Sequence, residues 1–148
     1  MSTGDGRSIE TSSLYLVEDR VTTFEGSRWP FESGTCTAVK MAEAGFYYCG
    51  SVSNPDWVRC VVCHQDMEGW EESDNPTKEH KRSTPGCAYL KLKDPYKITF
   101  ADVLELERCS IENYSSLEEE KLVNDLESLV DQMRDQLTAA VKNIQTTY

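Results

Sequence analysis

Cys60, Cys63, His80 and Cys87 follow one another as C-x-x-C, sixteen residues, His, six residues and Cys, and no other feature limits the possible folds of this chain so sharply. Three thiolates and one neutral imidazole, converging at ~2.0–2.3 Å, complete a tetrahedral shell around zinc and leave no position for water. The expected cofactor is therefore one structural zinc ion. Four unrelated side chains would produce the pattern only by accident, because the tight pair is followed by both remaining ligands within one short segment. Cys36, Cys49 and Cys109 fall outside the motif and read as small buried apolar side chains, so no cysteine is singled out as a nucleophile.

A length of 148 residues suits one small domain with an appendage. The polar start, residues 1–12, reads as a disordered N-terminus without an apolar signal segment, and no run reaches membrane-spanning length. The chain is accordingly expected in a reducing compartment, where cysteines favour metal over disulfides. Of the net charge of −11, residues 99–148 carry −7, from eleven acidic and four basic side chains. With both halves acidic, extended DNA binding is disfavoured and a basic partner is easier to accommodate.

The acidic C-terminal part also carries an apolar stripe. Gly and Pro are absent from Leu117 onward, and Leu122, Leu126, Leu129, Met133, Leu137, Ala140 and Ile144 recur at intervals of four, three, four, four, three and four. Val123, Val130 and Val141 widen the stripe beyond what a two-stranded coiled coil requires, which predicts bundling with more than one partner helix. A helix over residues 99–146 would be ~70 Å long. The alternative is a hairpin broken at Asn113, Tyr114, Ser115 and Ser116, with Ser116 capping a second helix through Glu119.

The remainder reads as α+β: a small zinc-stabilised domain with a three-stranded sheet and short helices, followed by the long C-terminal α-helix. Leu14, Val17, Val21 and Phe24 mark a first amphipathic helix, and Thr37 caps a second that Gly45 ends. Residues 46–48, 57–61 and 67–70 read as strands, with the C-x-x-C as a knuckle between the last two. Asn75 and Pro76 open a helix presenting His80, which Pro85 and Gly86 close before Cys87. The expected layout is the zinc domain at 13–93, a linker at 94–98 and the helix at 99–146. With so small an apolar core, metal binding carries much of the folding free energy.

The segment 24–90 resembles a baculoviral inhibitor-of-apoptosis repeat, the BIR domain. The motifs are Met41-Ala42-Glu43-Ala44-Gly45-Phe46, Asn54-Pro55-Asp56, Glu68-Gly69-Trp70-Glu71, Glu79-His80-Lys81 and Gly86-Cys87-Ala88. One such domain, no RING domain and a long terminal helix resemble the survivin-type branch of that family. The resemblance implies a non-enzymatic scaffold and targeting subunit of a chromosomal passenger complex. Its helix would bundle with borealin and inner centromere protein, localising an Aurora kinase to centromeres, chromosomes and the spindle midzone during mitosis and cytokinesis, with residence in nucleus and cytoplasm. The alternative is an inhibitor of apoptosis acting on caspases or their antagonists. Enzymatic activity is not expected, since four protein ligands close the metal site and the three other cysteines cannot build a second cluster.

The resemblance further implies a groove for a free N-terminal Ala peptide, such as a histone tail, with Glu68 and Asp74 receiving the ammonium group, Trp70 walling the methyl pocket and Met67 lining it. Gln65 and Ser83 stand where survivin-type proteins have lysine and histidine for a phosphorylated third residue. Neither brings positive charge, so a reduced phosphate preference is expected, with Lys78, Lys81, Arg82 or His64 as possible substitutes. Homodimerisation is implied through Tyr96, Phe100, Val103 and Leu104, with Ser12 near the N-terminal contribution; burial in the protein's own core would explain Val103 and Leu104 equally well.

Overall fold

In the computed structural model, residues 14–146 are described. The N-terminal segment 1–12 and Ser12 lie outside them.

The first apolar cluster forms a shorter helix than its periodicity suggests. Helix α1 covers Val17–Thr22, while Leu14 and Tyr15 sit in a 3-10 turn before it. Leu14, Val17 and Phe24 are buried as their spacing requires, but Val21 is only half-buried. Helix α2, Ala38–Glu43, begins where the Thr37 side chain accepts the Lys40 N–H, and it ends ahead of Gly45 at φ +97°.

Strands β1 (Phe46–Tyr48), β2 (Val58–Cys60) and β3 (Asp66–Met67) form an antiparallel sheet in that order, pairing Phe46 with Cys60 and Val58 with both Tyr48 and Met67. Alternation puts buried Phe46, Val58 and Cys60 on one face and Tyr47, Arg59 and Asp66 on the other. There Arg59 grips Asp66 through Nε at 2.7 Å and Nη2 at 3.1 Å. The second and third strands are shorter than expected. Cys60 ends the ladder by turning into the knuckle, and Gly69, at φ +76°, prevents β3 from continuing to Trp70.

Helix α3, Pro76–Ser83, has Asn75 as its cap and Pro76 at its first position, and a 3-10 turn at Ala88–Lys91 follows Cys87. Helix α4 then runs without interruption over Phe100–Gln145, so the break at residues 113–116 does not occur. Thr99 and Asp102 open it reciprocally: Asp102 accepts the Thr99 N–H at 2.9 Å, and Thr99 Oγ1 accepts the Asp102 N–H at 3.1 Å. Contacts divide the chain into two units, Met1–Asn113 and Tyr114–Tyr148. The first holds the core, which includes Tyr15, Met41, Phe46, Val58, Val61, Val62 and, from α4, Leu106. The second holds the remainder of α4.

Candidate metal centre and recognition surfaces

β2 delivers Cys60, the following turn Cys63, α3 His80, and the turn after α3 Cys87. Their four ligand atoms lie within 4.8 Å of one another, and Cys60, His80 and Cys87 are buried. The Cys60 and Cys87 sulfurs are 3.8 Å apart, and Cys63 Sγ is 3.5 Å from His80 Nε2. A tetrahedron with Zn–S of ~2.3 Å and Zn–N of ~2.0–2.1 Å has edges of about 3.8 Å and about 3.5 Å, so the donor set fits zinc in spacing as well as in chemistry. The ion would supply a cross-link among β2, the knuckle, α3 and the following turn.

The imidazole is oriented for that task. His80 Nδ1 donates to the Ala44 carbonyl at 2.8 Å, which directs the Nε2 lone pair at the sulfurs. The Val62 N–H reaches Cys60 Sγ at 3.4 Å and steadies it. Burial and the adjacent sulfurs push the Cys60 thiol well up, whereas bonding from Cys60 and Cys87 holds Cys63 far down. For His80, burial alone would lower the pKa, but Cys63 and Cys87 outweigh it and push it up to about 9. Cys36 and Cys49 lie apart from this cluster, and burial raises the first to about 12 and the second to about 11, so neither is an activated thiol.

The knuckle is anchored to α4 by residues that sequence reasoning assigned no such part. His64 takes a left-handed φ of +57°, which brings Nε2 within 3.0 Å of both the carbonyl oxygen and Oγ of buried Ser110. Ser110 Oγ donates to the Val61 carbonyl at 3.2 Å, and Asn113 Nδ2 to the Val62 carbonyl at 3.0 Å.

Glu68 is exposed at the end of β3 and bonded by the Asn54 amide. Asp74 is half-buried, its Oδ2 accepting the Glu71 N–H at 2.8 Å and its carbonyl the Thr35 hydroxyl at 2.8 Å. Trp70, between them in sequence, packs edge-on against Phe46 at 5.8 Å between centroids and is buried, while Met67 is half-buried. Sequence reasoning gave Asp56 no role, yet its Oδ2 accepts the N–H groups of both Gly69 and Trp70 at 2.8 Å and so sets this loop. A carboxylate just after Pro55 and before a strand was the available signal. Gln65 and Ser83 are exposed, and Gln65 donates to the Asp66 carbonyl at 3.0 Å. Of their possible substitutes, His64 is turned to Ser110, Arg82 pairs with Glu79 at 2.8 Å, and Lys78 and Lys81 line a separate groove.

Leu122, Leu126, Leu129, Met133, Leu137 and Ile144 are each at least half exposed, and Ala140 is exposed beside them. Among the four residues assigned to a dimer, Val103 packs on the protein's own core. Tyr96, Phe100 and Leu104 are exposed, with the Tyr96 hydroxyl bonded to Glu43 at 2.8 Å.

Comparison with known proteins accords with this fold and its Cys/His cluster. The family model described as BIR, Inhibitor of Apoptosis domain, matches residues 20–91. The chain is similar to baculoviral IAP repeat-containing protein 5 of Cavia porcellus, with 39% identity over 131 residues, 85% of this chain and 91% of the relative. Against the Mus musculus protein of the same name, identity is 42% over 102 residues, covering 68% and 71% of the two chains. The crystal structure of DIAP1 BIR1 bound to a Grim peptide matches at a TM-score of 0.45 and 28% identity, over 66% of this chain and 92% of that one. This chain belongs to the inhibitor-of-apoptosis BIR family. Within it, the homology is to baculoviral IAP repeat-containing protein 5, the survivin type, and one BIR domain is matched in these 148 residues.

Proposed function

We propose that the protein is a non-enzymatic scaffold and targeting subunit of a chromosomal passenger complex. Its BIR groove takes a free N-terminal Ala peptide such as a histone tail. Its terminal helix bundles with borealin-type and inner-centromere-protein-type helices and so carries an Aurora kinase to centromeres and the spindle midzone in mitosis and cytokinesis, from pools in nucleus and cytoplasm. The observation that carries this reading is the apolar stripe of α4, from Leu122 to Ile144, exposed on a helix of net negative charge. A bundle with two more helices covers a stripe of that width, and basic flanks on the partners complement its charge.

Glu68 and Asp74 support the peptide half of the reading, since a buried ammonium group needs carboxylates around it. Calorimetry of the zinc-loaded protein with a histone N-terminal tail peptide tests it. Binding is expected for the free amine and is abolished by N-acetylation. Phosphorylation of the third residue is expected to tighten binding less than about tenfold, or about 1.4 kcal/mol, because Gln65 and Ser83 carry no charge. Absence of binding to every form would remove the tail-reading role and leave function with the helix.

The family description, Inhibitor of Apoptosis domain, favours a second reading, inhibition of caspases or capture of their antagonists. An assay with purified caspases separates the two.

A further inference from the structure

The loop before α2 and the first turns of α3 line a shallow groove of about 510 Å3 that neither the metal centre nor the peptide groove uses. Lys40, Lys78 and Lys81 face it, together with Thr35 and Thr77. Lys40 is paired with Glu43, so in a chain of net charge −11 the positive charge at this groove comes from Lys78 and Lys81. The one carboxylate on its wall, Glu43, is already satisfied by Lys40 and by the Tyr96 hydroxyl, each at 2.8 Å. Among the described residues, no carboxylate pairs with Lys78 or Lys81. The helix end itself contributes little, because Pro76 has no N–H and Asn75 Oδ1 takes the Lys78 N–H at 3.0 Å. The lysines therefore carry the charge.

We propose that this groove binds a phosphorylated side chain of a partner polypeptide, held by the Lys78 and Lys81 ammonium groups with the Thr77 hydroxyl as a neutral donor. A phosphate monoester brings roughly −1.5 to −2 of charge and three acceptor oxygens to one point, which matches two adjacent ammonium groups. Nucleic acid and anionic membranes match poorly. Each is an extended polyanion needing many basic contacts, which a chain of net charge −11 with two unpaired lysines at this groove does not supply. The site is also distinct from any contact to a tail's third residue at Ser83. At ~100° per residue, Ser83 lies on the opposite flank of α3 from Lys81, with the inward-facing His80 between them.

The test is an NMR titration of the zinc-loaded full chain with N-acetyl-phosphoserine-N-methylamide at constant ionic strength, with the unphosphorylated compound as control. Saturable shifts confined to the amides of residues 34–40 and 75–81 are expected, with none from the control. A K78Q/K81Q double variant is expected to bind at least about tenfold more weakly, reflecting loss of charge-assisted bonds, while its zinc content and thermal midpoint stay unchanged. Shifts spread over remote lysines such as Lys91 and Lys97, or equal affinity in the double variant, would overturn the site. Co-sedimentation with phosphatidylserine vesicles that depends on Lys78 and Lys81 would overturn the assignment to a polypeptide.

Discussion

Arg20 is the only lysine or arginine buried among the described residues. Its Nε donates to the Ala42 carbonyl at 2.9 Å, Nη1 to the Leu14 carbonyl at 2.6 Å and Nη2 to the Tyr89 hydroxyl oxygen at 2.5 Å, while the guanidinium lies 4.9 Å from the Tyr89 ring centroid. Burial lowers its pKa, but arginine starts so high that the charge persists. Arg20→Met leaves two carbonyls and a phenol without their donor and is expected to cost about 3 kcal/mol in urea unfolding of the zinc-loaded protein. A loss below about 1 kcal/mol would mean that water replaces the guanidinium. The sequence did hold a signal for this arginine, since three residues after Val17 and four before Phe24 it falls on the apolar face of its helix, but a reading of the apolar positions alone passed over it. The metal ligands were legible because their chemistry is rare and their spacing short. Their protonation also gives a pH dependence. Without metal, the raised pKa values of Cys60 and His80, the latter about 9, keep protons on the cluster at neutral pH, and zinc must displace them. Apparent zinc affinity, measured by competition with a chromophoric chelator, should therefore fall as pH drops from about 8 to about 6, because ligation requires the deprotonated forms. A flat profile would show ligands already deprotonated.

At the scale of elements, α4 joins two roles that periodicity alone does not separate. Val103, Leu106 and Ser110 belong to the folded domain, whereas the stripe from Leu122 onward is exposed. The helix and its apolar positions were legible because a 3.6-residue repeat without Gly or Pro has few other solutions. Its continuity through Asn113 was not, since Asn and Ser are equally at home in turns. There the Asn113 side chain bonds the Val62 carbonyl and serves the knuckle instead of ending the helix. The strand limits were hidden for a related reason, as Cys60 belongs both to β2 and to the candidate metal site. Replacing Leu129 and Met133 together by Asp is expected to abolish capture of partner helices in a pull-down with borealin-type and inner-centromere-protein-type peptides. Zinc content and the thermal midpoint of the folded unit should not change. Retained capture would place the contact elsewhere.

For the whole molecule, the decisive quantity is how little apolar material surrounds the candidate metal site. Three strands of two or three residues and helices of six to eight make a small core, of the size that a metal cross-link commonly supports. Structural zinc contributes on the order of 10 kcal/mol to folding in comparably small sites. Chelation should therefore abolish the near-ultraviolet circular dichroism of the packed tryptophans in one cooperative step, and zinc should restore it. A metal-free protein keeping that signal would show that the aromatic core suffices. Gly45 carries a further consequence. Its φ of +97° already excludes most side chains, and a Cβ there would stand 2.7 Å from Tyr89 Cδ1. Shrinking Tyr89 would relieve that clash but strip the hydroxyl from Arg20 and from the Glu43 carbonyl, which it bonds at 2.9 Å. Three positions far apart in the chain are thus interlocked against drift, and random mutagenesis under selection for folding should find each nearly invariant while the lysines of the surface wander.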